Sequence, residues 1–351
     1  LSPTGAFVSI PLPLALDAMG GDHAPGETVQ GAVDYVRQTG SAVTLVGREP
    51  DLRGALAESV GYESRLPLTI EHAPETIDFG EGIKSIRNKR HSSIHVGARL
   101  VRHGQAAAFV SAGHTGAMMA ICKSIFGLLD GVDRPALPAP LPRLDGGYNV
   151  LLDAGANVDC RPEHFRQFAV MGYHYSRRIF GVEDPRVGLL SIGEEDAKGN
   201  QILKEVAAIL RETHINFVGN VEGTSLFRDH AEVIVCDGFV GNVALKVAEG
   251  LAETLLTQIK RECTKTPLRK LAAWTLRPGF REIYRRADYA EYGGVPLLGL
   301  QQVAIVAHGR SHARAIHSAL RVAQQCAASP LLARIADDIA ALHQAERKLA
   351  V

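Results

Sequence analysis

Five short segments of the 351-residue chain combine glycine with Asp, Asn, Ser, Lys or His. This set can hold an anion and polarise a carbonyl without a covalent protein nucleophile. The first is Asp17-Ala18-Met19-Gly20-Gly21-Asp22-His23, and the second is Ser111-Ala112-Gly113-His114-Thr115-Gly116. The third is Asp153-Ala154-Gly155-Ala156-Asn157. The fourth joins Ser191-Ile192-Gly193 to Lys198-Gly199-Asn200, and the fifth is Asp237-Gly238-Phe239-Val240-Gly241-Asn242, with Lys246 one helical turn on. Glycine lets backbone N–H groups approach a ligand closely, and a loop that opens a helix presents unpaired N–H groups to an anion. Each loop alone reads equally well as a tight turn. Together, at successive strand ends, they favour one shared site.

The elements that would position these loops are short apolar runs followed by longer amphipathic stretches. Leu14–Ala18, Ala42–Val46, Leu68–Ile70, Ala107–Ser111, Asn149–Leu152, Arg186–Ser191 and Glu232–Cys236 read as buried strands. Glu27–Gln38, Ile94–Val101, Ala117–Leu129, Phe165–Phe180 and Ile202–Glu212 read as helices between them. Strand and helix alternate to about residue 250, which predicts a doubly wound α/β sheet in three α/β/α layers. Val243–Arg261 and Leu268–Arg286 then read as a helical hairpin without an intervening strand, kinked or broken near Pro278 and Gly279. A last core helix is expected over Ser311–Ala327 with Ser311 as its cap, followed by a helical tail over Pro330–Val351. The expected organisation is one catalytic α/β domain over 14–351, a projecting hairpin over 242–288, and an N-terminal extension over 1–13 without an assigned role.

Composition narrows the field. Hydrophobic residues make up 46% of the chain, which is ample for a large core, and 38 Lys plus Arg balance 38 Asp plus Glu. With no net field, nucleic acid is not an expected partner. The five cysteines are scattered and odd in number, with no zinc-ligand spacing, which suits a reducing cytosol. The proline-broken start lacks a basic segment and a cleavage site, so it does not read as a signal peptide. No stretch reaches the roughly 20 apolar residues that span a bilayer. There is no GxGxxG after a strand, no GxxxxGK[ST], no HExxH and no GxSxG. Ser111 as a nucleophile lacks a His and carboxylate pair placed to activate it.

Asp17–Asp22, Ser111–Gly116, Asp133-Arg134-Pro135-Ala136, Leu152–Asn157, Lys198–Asn200, Asp237–Asn242 and Tyr292-Gly293-Gly294 occur here in an order and spacing that resemble the phosphate acyltransferase of bacterial phospholipid synthesis. The resemblance runs from about residue 14 to about residue 327. It implies transfer of a long-chain fatty acyl group from acyl-[acyl carrier protein] to inorganic phosphate. The resulting acyl phosphate would feed a membrane glycerol 3-phosphate acyltransferase. It further implies a homodimer, no cofactor and no metal, and a fold like that of isocitrate- and isopropylmalate-type dehydrogenases. One departure is visible: the second loop has His114 where the family usually has Asn.

This chemistry suits the residues. Phosphate is already ionised at neutral pH and a thiol of pKa about 8.5 is a fair leaving group, so positioning and fixed dipoles suffice. Under this reading Lys198 faces phosphate or the developing oxyanion, and Asn242 donates to the thioester carbonyl. Lys246, Asp237 and His23 stand beside them. Gly20, Gly21, Asp22, Ser111, Gly113, His114, Thr115, Gly116, Asn157, Gly193 and Asn200 are expected to line the phosphate and substrate pocket. The ordinary alternatives are a surface turn at Lys198 and a helix cap at Asn242.

Two basic stretches are candidate contacts. Lys84, Arg87, Lys89 and Arg90 would suit an acidic carrier protein, or simply form a solvated face. In the hairpin, Lys265, Arg269, Lys270, Arg277, Arg281, Arg285 and Arg286 accompany Leu268, Leu271, Leu276 and the single tryptophan, Trp274. Such a helix suits peripheral contact with an anionic inner membrane face from the cytoplasm, or packing in a dimer. The rival functions are an acyl-coenzyme A-dependent phosphotransacylase, a decarboxylating NAD(P)-dependent dehydrogenase and a non-catalytic scaffold.

Overall fold

The computed structural model describes residues 10–60, 66–281 and 293–349. Arg285, Arg286 and Tyr292, together with most of the N-terminal extension, lie outside the described residues. Eleven strands are present among the described residues: β1 Leu14–Asp17, β2 Val43–Gly47, β3 Leu68–His72, β4 Ala108–Ser111, β5 Ala139–Pro142, β6 Tyr148–Leu152, β7 Val187–Leu190, β8 Phe217–Val221, β9 Val233–Val235, β10 Gly294–Pro296 and β11 Ala304–Ala307. Between them run α1 Gly26–Thr39, α2 Glu49–Val60, α3 Ile83–Asn88, α4 Ser93–Arg102, α5 Thr115–Phe126, α6 Pro162–Tyr175, α7 Gln201–Arg211, α8 Gly238–Thr264 and α9 Pro267–Thr275. Helices Ala313–Ala328 and Leu331–Leu349 close the chain.

The strands form two sheets, of order β10-β11-β4-β1-β2-β3 and β5-β6-β9-β7-β8, where the sequence suggested one. All neighbours are parallel except the edge pairs β10–β11 and β5–β6. The chain leaves the first sheet after α5 and re-enters as the antiparallel edge strand β5, which starts the second. Helices cover both faces, as the alternation of β1 shows. Leu14 and Leu16 join one buried cluster with Val29 and Val33 of α1, whereas Ala15 joins another with Ala98 of α4 and Met118 of α5. Full burial of each large aliphatic chain contributes about 1.5–3 kcal/mol. The first of these clusters runs on through Val150, Leu152 and Phe168, so the two sheets share a core. Backbone bridges Leu128–Leu300 and Ala136–Leu298 pin the segment that leads from α5 to β5 against the one that joins β10 to β11.

Several sequence expectations need correction. α8 starts at Gly238, five residues before the expected Val243, because Asp237 caps it by accepting from the Val240 N–H at 2.9 Å. α8 therefore includes residues that the sequence places in the fifth loop. Ser311 is not a helix cap: His312 holds that position, and the Ser311 N–H donates to the His308 carbonyl. The long helix expected to Phe180 changes to a π-helical turn at Ser176–Phe180. α5 stops at Phe126, short of Leu129, at Gly127 with φ +79°. In the hairpin, α9 ends at Thr275 and residues 277–281 are again helical. The interruption follows from Pro278, which has no N–H to offer the Trp274 carbonyl.

Candidate active site

The parallel strands carry the five loops to the carboxyl ends of the two sheets, where ligands of open α/β folds bind. In the first sheet Asp17 and Ser111 sit side by side on paired strands, and the Ser111 hydroxyl donates to Asp17 Oδ2 at 2.7 Å. Ser111 Oγ in turn accepts from the Gly113 N–H at 3.0 Å, and Asp17 Oδ1 accepts from the Met19 N–H. Both side chains are buried, so the first two loops are locked at their roots. Burial pushes the Asp17 carboxyl above its ordinary value, against the pull of its hydrogen bonds from Ser111 and the Met19 backbone. Gly20 packs so closely on this pair that a Cβ would lie 2.6 Å from Asp17 Oδ2 and 2.7 Å from the Gly113 nitrogen.

His114 is the N-cap of α5, its Nδ1 accepting from the Ala117 N–H at 3.2 Å. The imidazole thus performs the capping task open to an asparagine, provided Nδ1 is unprotonated. Thr115 and Gly116 follow on the exposed first turn, where helix N–H groups lack partners within the helix. The His114 ring stacks against Phe79 at 6.2 Å.

A sixth loop, His308-Gly309-Arg310-Ser311-His312 after β11, completes this side and is not among the five expected from sequence. The Asp22 N–H donates to the Gly309 carbonyl at 2.8 Å, and His23 stacks on His312 at 4.2 Å. The signal was present: Val303–Ala307 is an apolar run of strand length that ends in His-Gly, the same pattern as the other loops. Burial holds His308 below its ordinary pKa, helped by the nearby cations Lys246 and Arg310 and opposed by Glu249 and Asp22. Lys246 on α8 thus stands within electrostatic reach of the first sheet's loops. It also pairs with Glu249 at 2.7 Å.

In the second sheet, Asp153 is fully buried and works as a clasp. Its carboxylate accepts from the backbone N–H groups of Leu137, Ala156 and Asn157 and from the Asn157 side chain. The Asn157 amide also donates to the Pro135 carbonyl, so this expected pocket residue shapes the loop from inside. Asp17 and Asp153 each open one of the five loops, and the structure shows that both are buried and bonded to neighbouring segments. Asn242 lies in the second turn of α8 rather than in the preceding loop, with its side chain against Gly155. Gly241 is seated on Asp153, and a Cβ there would lie 1.9 Å from the Asp153 carbonyl oxygen.

Lys198 is exposed in the turn after β7, where its aliphatic stem crosses Gly193. Asn200 caps α7 by accepting from the Leu203 N–H at 2.9 Å. Beside this turn lies a cleft of about 690 Å³, between the starts of α6, α7 and α8. Its thiols are not nucleophiles at neutral pH: burial pushes Cys160 up to about 11, and Cys236 is also raised, chiefly by burial. A second cleft, of about 740 Å³, lies along the hairpin among Lys270, Trp274, Arg277, Arg281 and Arg314. Leu268, Leu271, Trp274 and Leu276 are exposed there. Of the other basic stretch, Lys89 is engaged by Glu81 and by the Thr76 carbonyl.

The sequence of the family described as "Fatty acid synthesis protein" matches residues 12–334. The chain is 45% identical over 328 residues to a phosphate acyltransferase of Desulfitobacterium hafniense, covering 93% of this chain and 97% of that protein. It is 47% identical over 327 residues to a phosphate acyltransferase of Pelotomaculum thermopropionicum, covering 93% and 94%. Among solved structures, a phosphotransacetylase from Streptococcus pyogenes aligns with a TM-score of 0.61 at 17% identity, covering 90% of this chain and 94% of that one. A 4-hydroxythreonine-4-phosphate dehydrogenase from Klebsiella pneumoniae aligns with a TM-score of 0.51 at 13% identity, covering 90% and 99%. These two likenesses concern the fold, and they agree with the dehydrogenase-like sandwich expected from sequence. The match over nearly the whole chain shows that it belongs to the fatty acid synthesis protein family, in which both sequence relatives carry the name phosphate acyltransferase.

Proposed function

We propose that this chain transfers a long-chain fatty acyl group from acyl-[acyl carrier protein] to inorganic phosphate, making the acyl phosphate used to acylate glycerol 3-phosphate. The observation that carries the reading is the near-complete alignment with phosphate acyltransferases, together with polar loops at six strand ends and no activated nucleophile among the residues of those loops. A phosphate oxygen attacks the thioester carbonyl carbon, the C–S bond breaks, and the carrier leaves as a thiolate that takes up a proton. Asn242 donates to the carbonyl oxygen as it becomes an oxyanion, and Lys198 offsets the charge of the approaching phosphate. Each such donor contributes a few kcal/mol to the transition state. Lys246, with His23 and Asp22 across the site, steers the phosphate. The amides of Gly113, Thr115 and Gly116 add fixed dipoles, and Asp237 holds the start of α8 in place.

Residues 14–351 act in this reading as one catalytic unit, from which the hairpin projects. An exposed stripe on α8, Val243, Val247, Leu251, Leu255 and Ile259, repeats every fourth residue and suits a second copy of the chain. The basic α9 with exposed Trp274 suits peripheral contact with an anionic membrane on its cytoplasmic face, near the membrane acyltransferase that consumes the product. Among the described residues no helix is long and apolar enough to cross a membrane. The test is release of carrier thiol from palmitoyl-carrier protein, run with and without phosphate and beside palmitoyl-coenzyme A. Phosphate-dependent release from the carrier substrate supports the reading. Release from coenzyme A alone supports the phosphotransacylase alternative instead.

A further inference from the structure

We propose that the cleft between the starts of α6, α7 and α8 holds the hydrocarbon tail of the acyl group and sets the chain length the protein accepts. The inference rests on the acyl-transfer reading and adds a location for the part of the substrate that does not react. The cleft has the makings of a hydrocarbon site. Its walls are Val158, Phe165, Leu190, Ile202, Leu203 and Val240, and its volume of about 690 Å³ falls within the range of small-ligand pockets. Phe165 is almost fully buried, whereas Val158, Ile202 and Val240 are exposed. Exposed aliphatic groups around a concavity gain most from a matching apolar occupant.

Position and charge favour a tail over a coenzyme or a carrier's phosphate-bearing arm. Gly199 and Asn200 line the cleft, so it opens beside Lys198. Asp237, at the cap of the helix that carries Asn242, lines it as well. A thioester carbonyl held between Lys198 and Asn242 would therefore have an apolar slot next to it. The ionisable groups that line it are the carboxyls of Asp159 and Asp237 and the thiols of Cys160 and Cys236. Carboxylates repel a polyanionic occupant and leave a hydrocarbon unaffected. Thiols kept protonated by burial behave as small apolar groups and do not compete with phosphate for the acyl carbon.

The experiment narrows the cleft with Ile202→Trp on α7 and Val158→Trp just before α6, both lining residues at exposed positions that tolerate a larger side chain. Phosphate-dependent thiol release is measured for carrier protein bearing 4-, 10- and 16-carbon acyl groups. The expected result is at least a tenfold loss with the 16-carbon substrate in either folded variant, and less than a twofold change with the 4-carbon one. Equal loss at all three lengths, or a profile identical to that of the unmodified protein, overturns the assignment while acyl transfer stands. Absence of release by the unmodified protein at every length removes the acyl-transfer reading, and the cleft assignment with it. A variant that melts early is replaced by Leu203→Phe, for which the same pattern is expected.

Discussion

Gly155, in the loop after β6, lies beside Asn242 in the second turn of α8: a Cβ on Gly155 would lie 3.4 Å from Asn242 Cβ. Gly155 also has a φ of +125°, which side chains rarely adopt. Gly155→Ala should cost about 1–3 kcal/mol of stability from backbone strain. The added methyl would meet Asn242 only at van der Waals contact, so the cost arises from the backbone and not from a clash with that side chain. A urea titration measures the loss, and a variant as stable as the parent contradicts a left-handed backbone at this position.

Gly241 is the tighter contact, since no rotamer choice relieves a Cβ 1.9 Å from the Asp153 carbonyl oxygen. Gly241→Ala should lift the start of α8 from the Asp153 clasp and cost at least as much as overpacking a core, about 1–3 kcal/mol. Thermal melting measures this directly. A variant as stable as the parent would mean that α8 is not seated as described.

Ser111→Ala removes the hydroxyl that donates to buried Asp17 and accepts from Gly113. The loss should be about 1–3 kcal/mol, since a buried polar group loses a partner at each side. Denaturant unfolding of Ser111→Ala and Ser111→Thr separates the hydroxyl from the space it fills. The threonine variant is expected to recover part of the loss.

The pH dependence of stability follows from histidines that burial holds below their ordinary pKa: His95, His164, His174, His308 and His317. For each, the unfolded chain binds a proton at a higher pH than the folded one does, so stability rises with pH across that interval. Lowering the pH through about 6.5, the ordinary histidine value, should therefore lower Tm. Glu232 contributes only in a more acid range. Burial raises its pKa, the hydrogen bonds from Arg186 prevail, and it ends below its ordinary value. A Tm that is flat or higher at pH 5.5 than at pH 7.5 contradicts this assignment.

Trp274 is the chain's single tryptophan and is exposed on α9. If the hairpin rests on membranes, its fluorescence should shift to the blue with phosphatidylglycerol vesicles and not with neutral ones. Added salt should weaken the shift, since charge steers the contact. Leu271→Glu should lower vesicle affinity at least tenfold without changing soluble turnover of a short-chain substrate. An unchanged affinity would leave packing against a second copy as the hairpin's role.

The alternation of apolar runs and amphipathic stretches made the layered α/β fold legible, because buried parallel strands and their crossover helices have different periods. The division into two sheets was not legible, because strand order depends on pairings far apart in sequence. β11 is only a four-residue run, Ala304–Ala307, too short to stand out from sequence, and the loop that carries His308 and His312 depends on it. Asp17 and Asp153 look in sequence like any other strand-end aspartates. Only the packing shows that both are buried and hold neighbouring loops in shape. From sequence, Asp237 to Asn242 reads as one loop, since a helix starting at Gly238, with glycines at its first and fourth positions, runs against helix propensity.

The most direct test of the account is transfer of labelled inorganic phosphate into a hydroxylamine-sensitive acyl phosphate, with palmitoyl-carrier protein as donor. The parent is compared with folded Lys198→Ala and Asn242→Ala proteins. The account predicts product from the parent in step with carrier thiol, and at least a tenfold lower rate in each variant, equal to about 1.4 kcal/mol of barrier per tenfold. No labelled acyl phosphate from the parent at any phosphate concentration would contradict the proposed reaction. Full rates in both variants would contradict the assignment of these two residues.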